Sequence, residues 1–411
     1  MSFRLQKHMK PIMMWSFGAM AFLLQYACRI STGGMLDPIM LDFSIGETMM
    51  SHIGSSFYYL YIAMQLFVGK ITDKYPAHYV LIISTCIFLL ANQCFSESIT
   101  IFQAMAARAV MGAMGAFAFV VTMKLAMIWF ENRYLGILAG LTQVSGMLGV
   151  VFGNYVVHIH LIDGNWRPVI QLFSSFLCVL LLVMMLLMRP KAQRTQTVDV
   201  NILDGLLMVW RNPQSWYNAM FAGLIYLPTA AFGEYWGIQY LSKTSEVLSR
   251  AEATTAVNMI FIGWALGGVL MGWYSDRIQK RRPILLVTPW ICAGLLLPVL
   301  YCHNLSPLWA NLLMFGYGCF NAGLVVSYAI SGEINHPSVS GVSIAFCNML
   351  SILLGSFALT IVGWLVEKHM RLGLSEALAY EKAVLALPIA LILAYIASYC
   401  VEETHCKQIK A

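Results

Sequence analysis

Charge is what this sequence has least of: Asp, Glu, Lys and Arg make up 11% of its 411 residues, against 59% hydrophobic ones. Soluble domains carry roughly a quarter charged residues, so the chain cannot hide its apolar surface in a water-soluble globule, and its solvent must be largely lipid. It lacks a G-x-x-x-x-G-K-[ST] loop to cradle phosphates, which argues against direct nucleotide drive. Its ten cysteines include no C-x-x-C pair, so neither a zinc site nor a disulfide framework is supported. His158 and His160 diverge by about 200° on a helix and cannot form a one-face metal pair. His158 and Asp163 match the short H-x4-D pattern of acyltransferases, but they fall at the end of an apolar run, and no enzymatic role is expected. No metal or bound cofactor is expected either.

What is there is a succession of apolar runs near 20 residues long, without the alternation of a strand barrel. In a bilayer core each backbone N–H and C=O must be paired within its own segment, which selects helices. Hydropathy places twelve, at roughly 11–36, 49–69, 79–96, 100–130, 135–157 and 167–188, then 217–241, 253–273, 284–302, 307–330, 341–366 and 381–400. The first run follows Met1 to Lys10 with no A-x-A-like cleavage site behind it, and reads as a retained helix, not a signal peptide. With a cytoplasmic N-terminus, 16 of the 25 Lys and Arg fall on the cytoplasmic side, 6 outside and 3 (Arg29, Arg108, Lys124) within helices. This asymmetry follows the positive-inside rule and predicts an inner-membrane protein with both termini in the cytoplasm. The net charge of +6 is thereby explained by topology, with the lipid bilayer and not nucleic acid as the partner.

Internal repetition is the stronger signal. Gly69 to Lys74 reads G-K-I-T-D-K after the second predicted helix. Gly272 to Arg277 reads G-W-Y-S-D-R after the eighth, 203 residues later. Glu131 and Glu333 follow the fourth and tenth helices at an offset of 202. The expected fold is therefore an all-α membrane protein with two six-helix bundles related by pseudo-two-fold symmetry, 1–188 and 217–411. They are joined by a linker, 189–216, that is basic and then partly amphipathic (Ile202, Leu206, Leu207, Trp210). Such repeats place a substrate near the bilayer midplane and work by alternating access.

At this point the chain resembles the major facilitator superfamily. The loop motif of that family is intact at Gly272, Asp276, Arg277, Lys280, Arg281 and Arg282. In the first half it is weaker, at Gly69 and Asp73, with Pro76 and His78 where glycine and a basic residue are usual. Arg108, Gly112 and Gly115 look like the family's R-x-x-x-G-x-x-G segment, and Trp129-Phe130 with Gly136 and Gly140 like its usual fifth-helix start. Gly146, Gly149 and Gly153 supply a close-packed seam, but the proline of the antiporter-type motif is missing, which speaks against a drug exporter. A finer resemblance rests on Tyr26 to Arg29, Tyr58 to Gln65, and Leu227-Pro228 with Phe232 to Gly237. These look like the phagosomal-transporter-like nutrient carriers of intracellular bacteria; related carriers import polycarboxylate siderophores.

An ionisable side chain at bilayer depth costs several kcal/mol, so each needs a partner, a cavity or an escape to the interface. Arg29 lies about 18 residues into the first helix and Glu234 about 17 into the seventh, and both are expected to face the central cavity. Arg29 is the candidate anchor for a carboxylate by a planar two-point contact, a part that the resemblance also implies. Glu234 is the candidate site for a coupling proton or a substrate ammonium, because burial disfavours a carboxylate's charged form. The alternative is a salt bridge that merely gates the halves. Arg108 and Lys124 stand about 160° apart on one helix, so one of them is expected to be structural. With Arg108 and Lys124, Tyr26, Tyr58, Tyr61, Gln143 and Asn348 complete the candidate substrate contacts, though a residue such as Gln65, Gln143, Asn154, Asn321 or Asn348, taken alone, is more often an interhelical hydrogen bond. Gly69, Asp73, Gly272, Asp276 and Arg277 are the candidate gating residues, closing in one conformation through helix ends and lipid heads. The expected activity is proton-coupled uptake of a small anionic or zwitterionic solute, an amino acid or a polycarboxylate, by a monomer driven by an ion gradient. An efflux carrier and a nutrient receptor on the same scaffold are the alternatives.

Overall fold

The computed structural model describes residues 2–130, 134–161, 164–188, 202–336 and 339–408. Glu131, Asp163 and most of the linker lie outside them. The chain opens with α1 (Ser2–Ser31), a 3-10 turn (Thr32–Met35) and α2 (Leu36–Phe43). Then come α3 (Glu47–Lys74), α4 (Ala77–Ser96), α5 (Ile101–Trp129), α6 (Leu135–His160) and α7 (Arg167–Leu187). After the linker follow α8 (Ile202–Arg211), α9 (Pro213–Pro228), a π-helical stretch (Thr229–Trp236), α10 (Gly237–Thr244), α11 (Arg250–Ile278) and α12 (Arg282–Tyr301). The last are α13 (Pro307–Asn321), α14 (Leu324–Glu333), α15 (Ser340–Arg371), α16 (Glu376–Ala383) and α17 (Ala386–Cys400).

Among the described residues, ten segments are long and apolar enough to cross a membrane. They coincide with ten of the twelve expected helices. The remaining two, in α3 and across α9 to α10, are helical as well but carry Ser51, Ser55 and Ser56, and Thr229, Glu234 and Gln239. Burial is distributed as lipid requires. Val179, Leu182, Met185 and Leu186 on α7 and Ile389, Ile392, Leu393 and Ile396 on α17 are exposed, whereas Arg29, Asn92, Arg108, Asn218, Glu234 and Asn321 are buried. In water that order would be reversed.

Contacts divide the chain into two compact units, Met1–Ser44 with Ser56–Val198, and Ile45–Ser55 with Asp199–Ala411. The first unit is knit by backbone-to-backbone approaches that only glycine permits. A methyl group on Gly112 of α5 would fall inside the Phe57 carbonyl of α3, and one on Gly149 of α6 inside the Leu23 carbonyl of α1. Asn92 of α4 adds hydrogen bonds to the Ile170 carbonyl (3.1 Å) and Ser174 hydroxyl (2.9 Å) of α7.

The second unit repeats the device. Gly318 of α13 closes on the Ile260 carbonyl of α11, and Ile260 stands 203 residues after Phe57, the offset of the loop motif. Gly263 and Gly267 of α11 close in turn on Phe315 and Cys319. Residues 45–55 group with this unit although they precede the linker. The Tyr235 hydroxyl donates to the Met50 carbonyl (2.6 Å), the Ser55 hydroxyl to the Ser356 carbonyl (3.2 Å), and Gly363 leaves room for the Glu47 backbone.

At the α11–α12 turn, Gln279 takes a left-handed conformation (φ 52°) that reverses the chain. The reversal carries Arg281 into an ion cluster, with Nη1 2.6 Å from Asp276 Oδ1 and Nη2 2.7 Å from Glu333 Oε1. The C-terminal tail is strapped over the same corner. Glu403 accepts from the backbone N–H of Arg281 (2.8 Å) and Arg282 (2.9 Å), the first amides of α12, and Thr404 donates to Glu333. Burial alone would raise the Glu403 carboxyl, but the N–H groups of Arg281, His405 and Arg282 outweigh it and hold the group below its ordinary 4.5. A depressed pKa stabilises the fold above the unfolded value and loses that contribution as pH falls through the folded one. Glu403→Gln is therefore expected to lower the melting temperature at neutral pH, and the difference from the natural chain should shrink as pH falls below 4.5 and through the carboxyl's lowered pKa. Paired melting curves across pH check this; a constant difference would contradict it.

Candidate functional site

The first unit gathers a cluster of cations and rings at the end of α1. Arg29, 4% exposed, sits in the last turn of that helix. Its guanidinium carbon lies 4.8 Å from the Tyr26 ring centre, 4.9 Å from Tyr58 and 6.0 Å from Phe57. Its Nε donates to the Tyr58 hydroxyl (3.3 Å). Tyr61 stacks on Phe57 at 6.2 Å. Rings hold a guanidinium by their negative faces, an attraction of about 2 kcal/mol or more once water is removed.

Arg108 of α5 reaches the same place from another direction. It lies 5.2 Å from Phe57 and 5.7 Å from Phe95. It donates to the carbonyls of Cys28 (3.3 Å) and Arg29 (3.2 Å). These are among the carbonyls that a helix leaves without i+4 donors at its C-terminus, where the dipole also favours a cation. Arg108 thus fastens the backbone from which Arg29 projects.

Two other candidates lie elsewhere in this unit. Lys124 is 16 residues beyond Arg108 on α5, about 24 Å along the axis, and its ammonium donates to the Thr72 carbonyl near the end of α3. Gln143 is half-buried on α6. The α1–α6 seam pairs Gly146 with Phe22 and Gly153 with Ala27, so Gln143 falls about three turns, some 15 Å, from the level of Arg29. Gly69 is exposed at the end of α3, and the Asp73 side chain lies outside what the structure describes.

In the second unit Glu234 is 5% exposed inside the π-helical stretch. Pro228 starts the irregularity, since it has no N–H to give and its ring crowds the preceding turn. Tertiary contacts then fix it: Asn321 of α13 donates to the Ile225 carbonyl (2.7 Å) and accepts from the Thr229 hydroxyl (2.8 Å), which also meets Tyr317 (3.0 Å). Single π turns inside α-helices recur at functional sites. Here the turn presents Glu234 to Tyr226, whose hydroxyl donates to Oε1 at 2.6 Å. Asn348 of α15 accepts from Tyr328 (3.1 Å). Of the gating candidates, Arg277 lies over Trp273 (5.2 Å) at an exposed position, Gly272 has open space around it, and Asp276 pairs with Arg281. Arg281 does not stand out in the sequence, where it is one of three consecutive basic residues, Lys280 to Arg282.

A profile for the Major Facilitator Superfamily matches residues 18–358, most of the chain. The chain belongs to this family. As a Major Facilitator protein it is a multi-pass membrane protein, in keeping with its ten long apolar segments among the described residues. Among solved structures it is similar to a bacterial homologue of the human lysosomal transporter Spinster in an inward-facing, unoccupied conformation (TM-score 0.76, 13% identity, 95% of this chain and 97% of that one). It is also similar to the nucleoside transporter NupG (TM-score 0.77, 12% identity, 95% and 99%). At such identities the likeness concerns the Major Facilitator fold alone. Among curated proteins it is similar to the membrane sensor protein UhpC of Salmonella typhimurium, 26% identical over 47% of this chain and 43% of that protein. A probable hexose phosphate transport protein of Chlamydia muridarum is 28% identical over 36% and 33%. The chain spans less than half the length of these curated relatives.

Proposed function

We propose that the chain is a proton-coupled importer of a small anionic or zwitterionic solute, with Arg29 as the anion anchor and Glu234 as the proton or ammonium site. The observation that carries this reading is Arg29 itself, a buried cation clad by Tyr26, Tyr58 and Phe57 and seated on a backbone fastened by Arg108. Such a guanidinium is costly to retain in a membrane helix and is matched to the planar oxygens of a carboxylate or phosphate. The likeness to a probable hexose phosphate transport protein supports an oxyanion of this kind. An amino acid or a polycarboxylate, including a siderophore of that chemistry, agrees with the resemblance to phagosomal-type carriers.

Glu234 supports the coupling role by its burial and by the hydrogen bond that its carboxylate accepts from Tyr226. The basic loops favour the inner membrane with both termini cytoplasmic. Ion-gradient drive and a monomeric carrier belong to the same reading. The test is uptake into proteoliposomes under an imposed pH gradient. Glu234→Gln is expected to reduce gradient-driven accumulation at least tenfold while leaving solute exchange intact; an unchanged pH dependence would remove the proton from Glu234.

A sensor is the second reading, favoured by the likeness to UhpC. It differs in one readout: a sensor binds solute without moving it, so saturable binding with no accumulation or exchange would select it. Outward accumulation in the same vesicles would select efflux.

A further inference from the structure

Gln25 precedes Arg29 by four residues on α1, which sets the two side chains on one face of the helix, one turn apart. It is 3% exposed, and among the described residues both its amide oxygen and its amide nitrogen are buried without a hydrogen-bond partner. Its surroundings explain this. The amide oxygen faces α5 at Gly115, where an added methyl would lie 3.9 Å from it and 3.1 Å from the tip of the Phe57 ring. Neither glycine nor phenylalanine brings a polar side chain to this spot. Phe57 is also one of the rings around Arg29, so the amide and the guanidinium border one cluster.

A buried amide with neither atom satisfied is costly, more so than an apolar residue of the same size. Leucine or methionine at this position would pack against Phe57 without that cost. We infer that Gln25 is a second solute contact, setting specificity beside the anchor. The solute then carries a hydroxyl, or a similar group able both to donate and to accept, about one helical turn (roughly 5 Å) from the oxyanion held by Arg29. This rests on the anion reading of Arg29 and adds to it a statement about the rest of the molecule.

The experiment uses pairs of anions that differ by one hydroxyl, malate with succinate and citrate with tricarballylate, in thermal-shift titrations of the purified protein. The natural chain is expected to bind the hydroxylated member about tenfold more tightly, the worth of one well-made buried hydrogen bond. Gln25→Leu, with Gln25→Met as the less disruptive second variant, should bind both members alike while melting higher than the natural chain in the absence of solute. A structural role would show the opposite, with a lower solute-free melting temperature and intact discrimination. Equal binding of both members by the natural chain would overturn the inference and leave the Arg29 anchor standing. No response to any of the four anions would overturn both.

Discussion

Arg29→Lys is expected to lower solute uptake at least tenfold with normal amounts of folded protein in the membrane. The substitution keeps the positive charge, so any account resting on charge alone predicts little change. The geometry predicts much more. The guanidinium lies under 5 Å from the ring centres of Tyr26 and Tyr58, and its Nε donates to the Tyr58 hydroxyl. An ammonium on a flexible stem has no plane to stack and no parallel pair of donors for two anionic oxygens. Losing one charge-assisted hydrogen bond of a bidentate pair costs about 1.5–3 kcal/mol, which is tenfold or more in affinity. Uptake kinetics of the two proteins in matched vesicles check this, and equal uptake would remove the two-point contact.

Gly112→Ala is expected to cost about 3 kcal/mol or more of stability, at or above the upper end of overpacking penalties. The added methyl group would overlap the Phe57 carbonyl, a backbone atom that cannot rotate away as a side chain can. α3 and α5 would have to separate, and Phe57 would shift with its contacts to Arg108 and Tyr61. Gly140 provides the control, since nothing lies near its added methyl; Gly140→Ala should melt within a degree or two of the natural chain. Melting curves of both variants decide the matter, and matched values would show that the seam relaxes freely.

The sequence already carried much of this, and where it did not the cause is specific. Arg29 and Glu234 stood out because charge within apolar runs is rare and costly. Arg108 and Lys124 stand about 160° apart around α5 by their spacing, and the structure gives them different partners, the Cys28 carbonyl of α1 and the Thr72 carbonyl of α3. The repeat offset that linked the two loops reappears in the glycine seams at Phe57 and Ile260. The π-helical turn was half visible. Pro228 marks an irregularity, but the hold on it comes from Asn321 and Tyr317, some 90 residues away in sequence. Arg281 could not be chosen over its neighbours because the reversal at Gln279 comes from a residue type that does not announce a left-handed turn. Gln25 does not stand out in the sequence, because a lone glutamine on an apolar helix usually finds a partner on the next one. Only the neighbouring glycine and phenyl ring show that here it does not.

The measurement closest to the central claim is a thermal-shift screen of the purified protein and Arg29→Ala against carboxylates, phosphorylated and free sugars, and amino acids at two pH values. A ligand bound to the native state at a hundred times its Kd stabilises it by about 2.7 kcal/mol. The account predicts that an oxyanion raises the melting temperature of the natural chain by several degrees and leaves that of Arg29→Ala unmoved. Stabilisation by neutral sugars alone, or by the same anion to the same degree in both proteins, would contradict it.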